Sequence, residues 1–400
     1  TKQLTKHCYW QPEGVAGGGE NAWQQELDTA IRIRTVADRP LGVFLSGGVD
    51  SSTIACRLKE QGFGQLHTFS AAFPGSSLDE SPLAKEIADT LGLPNQAIPV
   101  PLTIANDFEQ IIADLDEPFA DPSSFPTWYL AQATTRQVKV VLGGDGGDEL
   151  FAGYKRQHKH LRTLWRRAFR LPAFFPSPHL PEATGKGWRK LFSELRMSWL
   201  QAYSLRFSGM TPGQRAWLQP QHKALPANYW RMPAAATLKA LTPLKQLLAV
   251  DLQNYLPEYI LRKGDLCTMA HGLELRAPLL DHVWAQTVMA LPDTQRFTWP
   301  AKQLFRQVTQ ALASLDLFNR KKRGFNPPLN PWLQQDLKAR LPQLGQRLQQ
   351  LTNGQLQADR VDHMVKTYAR HPALAEHVLQ LVVLEASLSQ LGALAEGTAL

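Results

Sequence analysis

Cysteine is scarce in this sequence. Its 400 residues hold three, Cys8, Cys56 and Cys267, far apart and with no C-x-x-C pair. That spacing excludes a zinc knuckle and a disulfide framework, and leaves Cys56 as a small apolar core residue in a helix. Long apolar runs are missing too. No stretch approaches the ~18–20 residues that cross a bilayer, so no membrane partner is expected. No secretory leader is recognisable, and the cytoplasm is the expected compartment. A G-x-x-x-x-G-K-[ST] phosphate loop, an internal repeat and a low-complexity tract are likewise absent. Acids are missing from one segment, where Lys155, Arg156, Lys159, Arg162, Arg166, Arg167 and Arg170 follow one another. This run accounts for much of the net charge of +8 and reads as a solvated helix face. No RNA-binding module accompanies it, which disfavours nucleic acid as a partner.

What is present starts with Leu41-Gly42-Val43-Phe44-Leu45-Ser46-Gly47-Gly48-Val49-Asp50-Ser51-Ser52. An apolar run of strand length stops at Ser-Gly-Gly, and a helical pattern carrying Ile54, Ala55 and Leu58 follows. Strand, glycine turn and helix N-terminus together make an anion site, because free backbone N–H groups and the helix dipole both favour phosphate. Gly47 and Gly48 let the backbone approach a ligand, and Ser46 and Ser51 add hydroxyls. A carboxylate at Asp50 would repel phosphate unless a divalent cation lay between them, which makes it a candidate magnesium ligand.

Strands and helices then alternate. Strands are expected at 41–45, 66–73, about 96–100 and 138–142, and helices at 51–61, 80–91, 103–115 and 126–136. This series implies an α/β fold: a parallel sheet with helices on both faces, its ligand at the carboxyl ends of the strands. Residues 21–154 form the expected α/β core, with the phosphate site in it. Residues 155–245 read as a basic helical insertion, and 246–400 as an additional helical layer that completes the domain. Residues 1–20, polar and ending in Gly17-Gly18-Gly19, read as a linker.

A second loop follows the 138–142 strand: Gly143-Gly144-Asp145-Gly146-Gly147-Asp148-Glu149. Four glycines permit close approach of backbone to ligand, and three carboxylates so near one another call for a cation. Asp50 and Asp148 are the candidate pair that shares it. Two further stretches mix charge with apolar residues. One runs from Tyr255 to Asp281, where each Glu or Arg taken singly reads as half of a structural ion pair. The other is Arg320-Lys321-Lys322-Arg323-Gly324-Phe325, either an exposed basic turn or a loop that delivers a lysine to a phosphate.

In this order and spacing, the four stretches resemble the synthetase domain of glutamine-dependent asparagine synthetases, a branch of the ATP pyrophosphatases (adenine-nucleotide alpha-hydrolase-like fold). The likeness runs from about residue 20 to about 390 and is weak over 155–245. It implies that Mg2+ and ATP bind, that the aspartate side chain is adenylated with release of pyrophosphate, and that ammonia then displaces AMP to give asparagine. It further implies that Ser46, Gly47, Gly48, Asp50 and Ser51 hold the pyrophosphate end and that Asp50 and Asp148 bind the metal. Ala71 would line the adenine pocket, and Gly143 and Gly144 would touch the nucleotide through backbone. Lys322 would stabilise charge on the α-phosphate, Lys302 would reach phosphate, and Glu274 with Arg276 would lie beside the acyl site, with Lys322, Asp145 and Glu274 as the catalytic candidates.

There are departures from the family pattern. Well-known members carry Ser-Gly-Glu-Gly-Ser-Asp where this chain has Gly143 to Asp148, so Asp145 is one methylene shorter than that glutamate. The acceptor could accordingly be aspartate or another small carboxylate, as in relatives that amidate glycans or close lactam and peptide rings. Members also begin with a glutaminase domain whose nucleophile is an N-terminal cysteine, whereas residue 1 here is Thr. The expectation is a synthetase half that takes ammonia from a glutaminase domain absent from this chain, with a homodimer as the candidate assembly. A tRNA-modifying pyrophosphatase is disfavoured by the lack of paired cysteines.

Overall fold

A computed structural model of the chain describes residues 22–64, 66–76, 79–168, 194–195, 197–207, 209–221, 230–320 and 327–395, with Thr5, His7 and Trp10 before them. Five parallel strands form one sheet in the order β3-β2-β1-β4-β5. They are β1 (Leu41–Phe44), β2 (His67–Ala72), β3 (Asn95–Pro99), β4 (Val140–Leu142) and β5 (Glu274–Arg276). The α/β reading holds. The expected strands are all there: β1, β2 and β4 are one or two residues shorter than expected, and β3 is shifted by one residue. β5 lies within a stretch read as helical, and three residues are too few to show an alternation.

Alternating side chains divide between the two faces. Val43 and Leu142, paired in register, pack with α1 (Ala22–Ile33), α2 (Val49–Glu60) and α3 (Ser81–Leu91). Phe44, Phe69 and Val141 point the other way, towards Leu130 and Ala131 of α5 (Ser124–Thr134). Gly42 is required in β1 because a Cβ there would lie 2.7 Å from the Phe69 ring. Cys56 is fully buried in α2, as a core residue should be. A separate helical layer closes over α4 (Phe108–Asp114) and α5. In it Phe108, Phe125 and Trp332 pack with the long terminal helix Ala375–Ala395. Among the described residues, no helix is long and apolar enough to cross a membrane.

The basic run is only partly a solvated face. Lys155, Lys159, Arg162 and Arg167 are exposed, but Arg156 of α6 (Lys155–Leu161) turns inward. Its guanidinium lies 3.9 Å from the ring centres of both Tyr154 and Tyr255 and pairs with fully buried Asp251 at 3.3 Å. A polar residue flanked by aromatics in the fold, though not in the sequence, does not betray its burial in a composition count. Arg170 lies outside the described residues.

Candidate active site

The ends of β1 and β4 meet. After β1 the chain turns at Gly47, whose φ of 73° suits glycine, and enters α2 at Gly48. The turn is held by its own hydroxyls. The Ser46 amide donates to Ser51 Oγ at 3.2 Å, and Ser51 Oγ donates to the Gly48 carbonyl at 3.3 Å. The first amides of α2, with its dipole, therefore open onto the space above the sheet. The second loop presses against the first. A Cβ on Gly144 would stand 2.9 Å from both Asp50 Cβ and the Ser51 amide nitrogen. Cβ atoms on Gly147 and Gly153 would collide with the carboxylates of Asp50 and Asp148. These glycines leave room for two acids.

The two acids share one cation. The Lys302 ammonium lies 2.6 Å from Asp148 Oδ1 and also hydrogen-bonds Asp50 Oδ2. Lys302 is only 6% exposed. Burial alone would depress its ammonium, but Asp148 and Asp50 outweigh burial and hold it above the ordinary lysine value. Behind Asp148, the Tyr154 hydroxyl donates to buried Glu149 at 2.6 Å. Burial and then the Asp148 charge push the Glu149 carboxyl up to about 7.

Around this ion triad is a cavity of about 760 Å³, within the ~300–1,000 Å³ of small-molecule sites. Ser46, Gly47, Gly48, Asp50 and Ser51 of the first loop line it, as do Ala71 at the end of β2, Gly143, Gly144, Asp145 and Asp148 of the second, and Lys302. Glu274 does not. It is 55% exposed at its side chain, on the outer strand β5, and grips Arg276 at 2.7 Å. Arg276 in turn donates to the Arg34 and Val36 carbonyls at 2.9 and 2.8 Å, tying β5 to the end of α1. Lys322 lies outside the described residues. Lys155, read from sequence as part of a solvated basic face, and Lys263, within the Tyr255-to-Asp281 stretch read as structural ion pairs, also line the cavity, as does Trp299, which sequence reasoning did not single out. Lys263 approaches Ser123 Oγ at 3.0 Å and Asp121 at 3.5 Å. The signal for Lys263 was a charge embedded in an apolar helix pattern.

Do these groups suit magnesium? Among the described residues, no cluster of three or more His, Cys, Asp or Glu forms a metal cage. Two carboxylates converging beside a helix N-terminus do suit an ion that takes one or two protein oxygens and fills its octahedron with water and phosphate. The glycine cradles around both carboxylates are the structural sign of that fit.

The sheet order, the glycine loops at adjacent strand ends and the paired acids define an α/β nucleotide-loop protein of the ATP pyrophosphatase type. The family description "Asparagine synthase" matches residues 22–390, so the chain belongs to the asparagine synthase family. Asparagine synthetase [glutamine-hydrolyzing] 1 of Bacillus subtilis is 29% identical over 328 residues, 77% of this chain and 49% of that relative. A putative asparagine synthetase [glutamine-hydrolyzing] of Mycobacterium tuberculosis is 31% identical over 332 residues, 77% of this chain and 48% of its own length. Amidase chry2 of Gibberella zeae is 25% identical over 362 residues, 77% of this chain and 52% of its own. The chain thus spans about half the length of the curated relatives it matches.

Proposed function

We propose that the chain is a carbon–nitrogen ligase that activates the side-chain carboxylate of aspartate with ATP and amidates it with ammonia. The observation that carries this reading is the convergence of Asp50 and Asp148 on one cation at the ends of β1 and β4, beside the open N-terminus of α2. The two loops hold the triphosphate by backbone amides and the Ser46 and Ser51 hydroxyls, with Ala71 beside the base. Magnesium held by Asp50 and Asp148 would neutralise charge on the triphosphate when bound. A carboxylate oxygen attacks the α-phosphorus, the bond to the bridging oxygen breaks, and pyrophosphate leaves. Ammonia adds to the acyl carbon, gives up a proton, and AMP departs with its pair of electrons.

In this scheme Lys322 and Lys302 stabilise phosphate charge. Asp145 accepts the proton from the attacking ammonia. Glu274 acts from behind, holding Arg276 and through it the edge of the sheet. Residues 21–154 supply the nucleotide loops, and 246–400 supply Lys302. Residues 155–245 pack Arg156 against both parts, and 1–20 lead from a glutaminase domain that delivers the ammonia. The test is a reaction of the chain with Mg2+, ATP, aspartate and ammonium. AMP, pyrophosphate and asparagine should appear in equal amounts, while ADP and phosphate would contradict the scheme. Glutamine in place of ammonium should release no glutamate.

A second reading keeps the chemistry and changes the acceptor to another carboxylate. Asp145 favours it, together with the relatives named amidases. Pyrophosphate release with glycan or peptide carboxylates but not with aspartate would select it.

A further inference from the structure

Two acids and one buried lysine lie where the proposed metal would bind. The Lys302 ammonium lies between Asp50 and Asp148 and contacts a carboxylate oxygen of each. The Asp50 and Asp148 side chains are 16% and 10% exposed, and that of Lys302 is 7% exposed. An ion bound by the same two carboxylate oxygens would take the position the ammonium holds. We infer that Lys302 is an exchangeable internal counter-ion: a divalent metal enters this site only together with a polyphosphate, which becomes the partner of the displaced ammonium. This rests on the proposed ATP site and specifies what that site accepts.

The argument is one of charge. The three described side chains, two carboxylates and one ammonium, together carry net −1. A free divalent ion could claim both acids only by turning a nearly buried ammonium away from its partners, and an unpaired buried charge is strongly disfavoured. A polyphosphate brings several negative oxygens and removes that obstacle. The backbone supports the same assignment. Lys302 has a φ of 68°, in the left-handed region that a lysine rarely adopts, and Gly153 leaves the space through which its side chain passes, since a Cβ there would stand 3.1 Å from Lys302 Cε. The chain aims this ammonium at the acids by construction.

Mn2+ serves as the probe, with free ion counted by electron paramagnetic resonance, and α,β-methylene-ATP as a nucleotide that cannot transfer AMP. For the unaltered chain, Mn2+ alone should bind at least tenfold more weakly than Mn2+ in the presence of the analogue. Lys302→Met should bind Mn2+ alone at least tenfold more tightly than the unaltered chain, and the nucleotide should then add little. Lys302→Arg should keep the weak binding. Equal Mn2+ affinity with and without the analogue in the unaltered chain would overturn the exchange, and that measurement needs no variant to fold. If the analogue fails to bind even with Mn2+, the nucleotide-site reading falls and the exchange with it. If the analogue binds but Lys302→Met, folded by circular dichroism, gains no affinity for Mn2+, only the exchange falls.

Discussion

At the scale of single residues, the site is built by what glycine lacks. Gly144 and Gly147 allow two loops to touch and two carboxylates to turn towards each other. Gly147→Ala forces the Asp50 carboxylate aside, and a displacement near 1 Å at a reacting centre costs about 100-fold. Pyrophosphate release should fall by that factor while far-ultraviolet circular dichroism stays unchanged. Asp281 is a residue of another kind. Its carboxylate accepts from the Val283 and Trp284 amides at 2.9 and 3.1 Å and pairs with Arg34 at 2.9 Å. Burial alone would raise its carboxyl, but Arg34 and those amides outweigh burial and hold it below the ordinary carboxylate value. A depressed native value means stability that is present above the unfolded value near 4 and is lost as pH falls through the native one. Asp281→Ala should cost about 1 kcal/mol in urea denaturation at pH 7, the usual worth of an N-cap. The difference from the unaltered chain should shrink towards pH 3. Residues with this kind of meaning differ in how well a sequence displays them. Asp50 and Asp148 stand out because each sits in a glycine run after an apolar strand. Lys302 stands in a stretch whose sequence reads as ordinary helix, although the chain turns left-handed there, and it is recognisable only by family likeness. Lys263 shows only as a charge embedded in an apolar helix pattern, and the inward turn of Arg156 cannot be recognised without the partners the fold brings to it.

At the scale of elements, the strand–loop–helix units from β1 to β4 were legible because their periods are long enough to declare themselves and each ends at Gly or a turn. β5 was not, because its three residues owe their extended form to pairing with β4 rather than to their own pattern. The segment Asp251–Leu261 also departs from simple helical expectation. It winds with a wider turn around Pro257, which has no N–H to give to the regular ladder. That segment anchors the basic insertion. Buried Asp251 accepts from Gln157 at 2.8 Å and from the Tyr203 hydroxyl at 2.7 Å, and pairs with Arg156. Three elements distant in the chain thus meet on one carboxylate. Asp251→Ala leaves the Arg156 charge without its partner and should cost about 3 kcal/mol in urea denaturation, the lower end for breaking a buried pair. Arg156→Met, which removes the charge and keeps apolar bulk between Tyr154 and Tyr255, should cost less. An equal loss for both would contradict the ordering.

At the scale of the whole molecule, the sheet brings one wall of the cavity and the carboxyl-terminal half brings the other, through Lys263 and Lys302. A nucleotide that bridges both should stabilise the chain as one unit. Saturation at about 100 times Kd contributes about 2.7 kcal/mol, so Mg2+ with ATP should raise Tm by several degrees, and Asp148→Asn should lose most of that rise. The chemistry itself is open to a direct tracer. Aspartate labelled with oxygen-18 in its side-chain carboxylate is supplied with Mg2+, ATP and ammonium, and the AMP produced is weighed by mass spectrometry. Attack of that carboxylate on the α-phosphorus, followed by amidation, leaves one labelled oxygen in each AMP. AMP formed without the label would contradict the account, because the phosphorus would then have been handed to something other than the carboxylate.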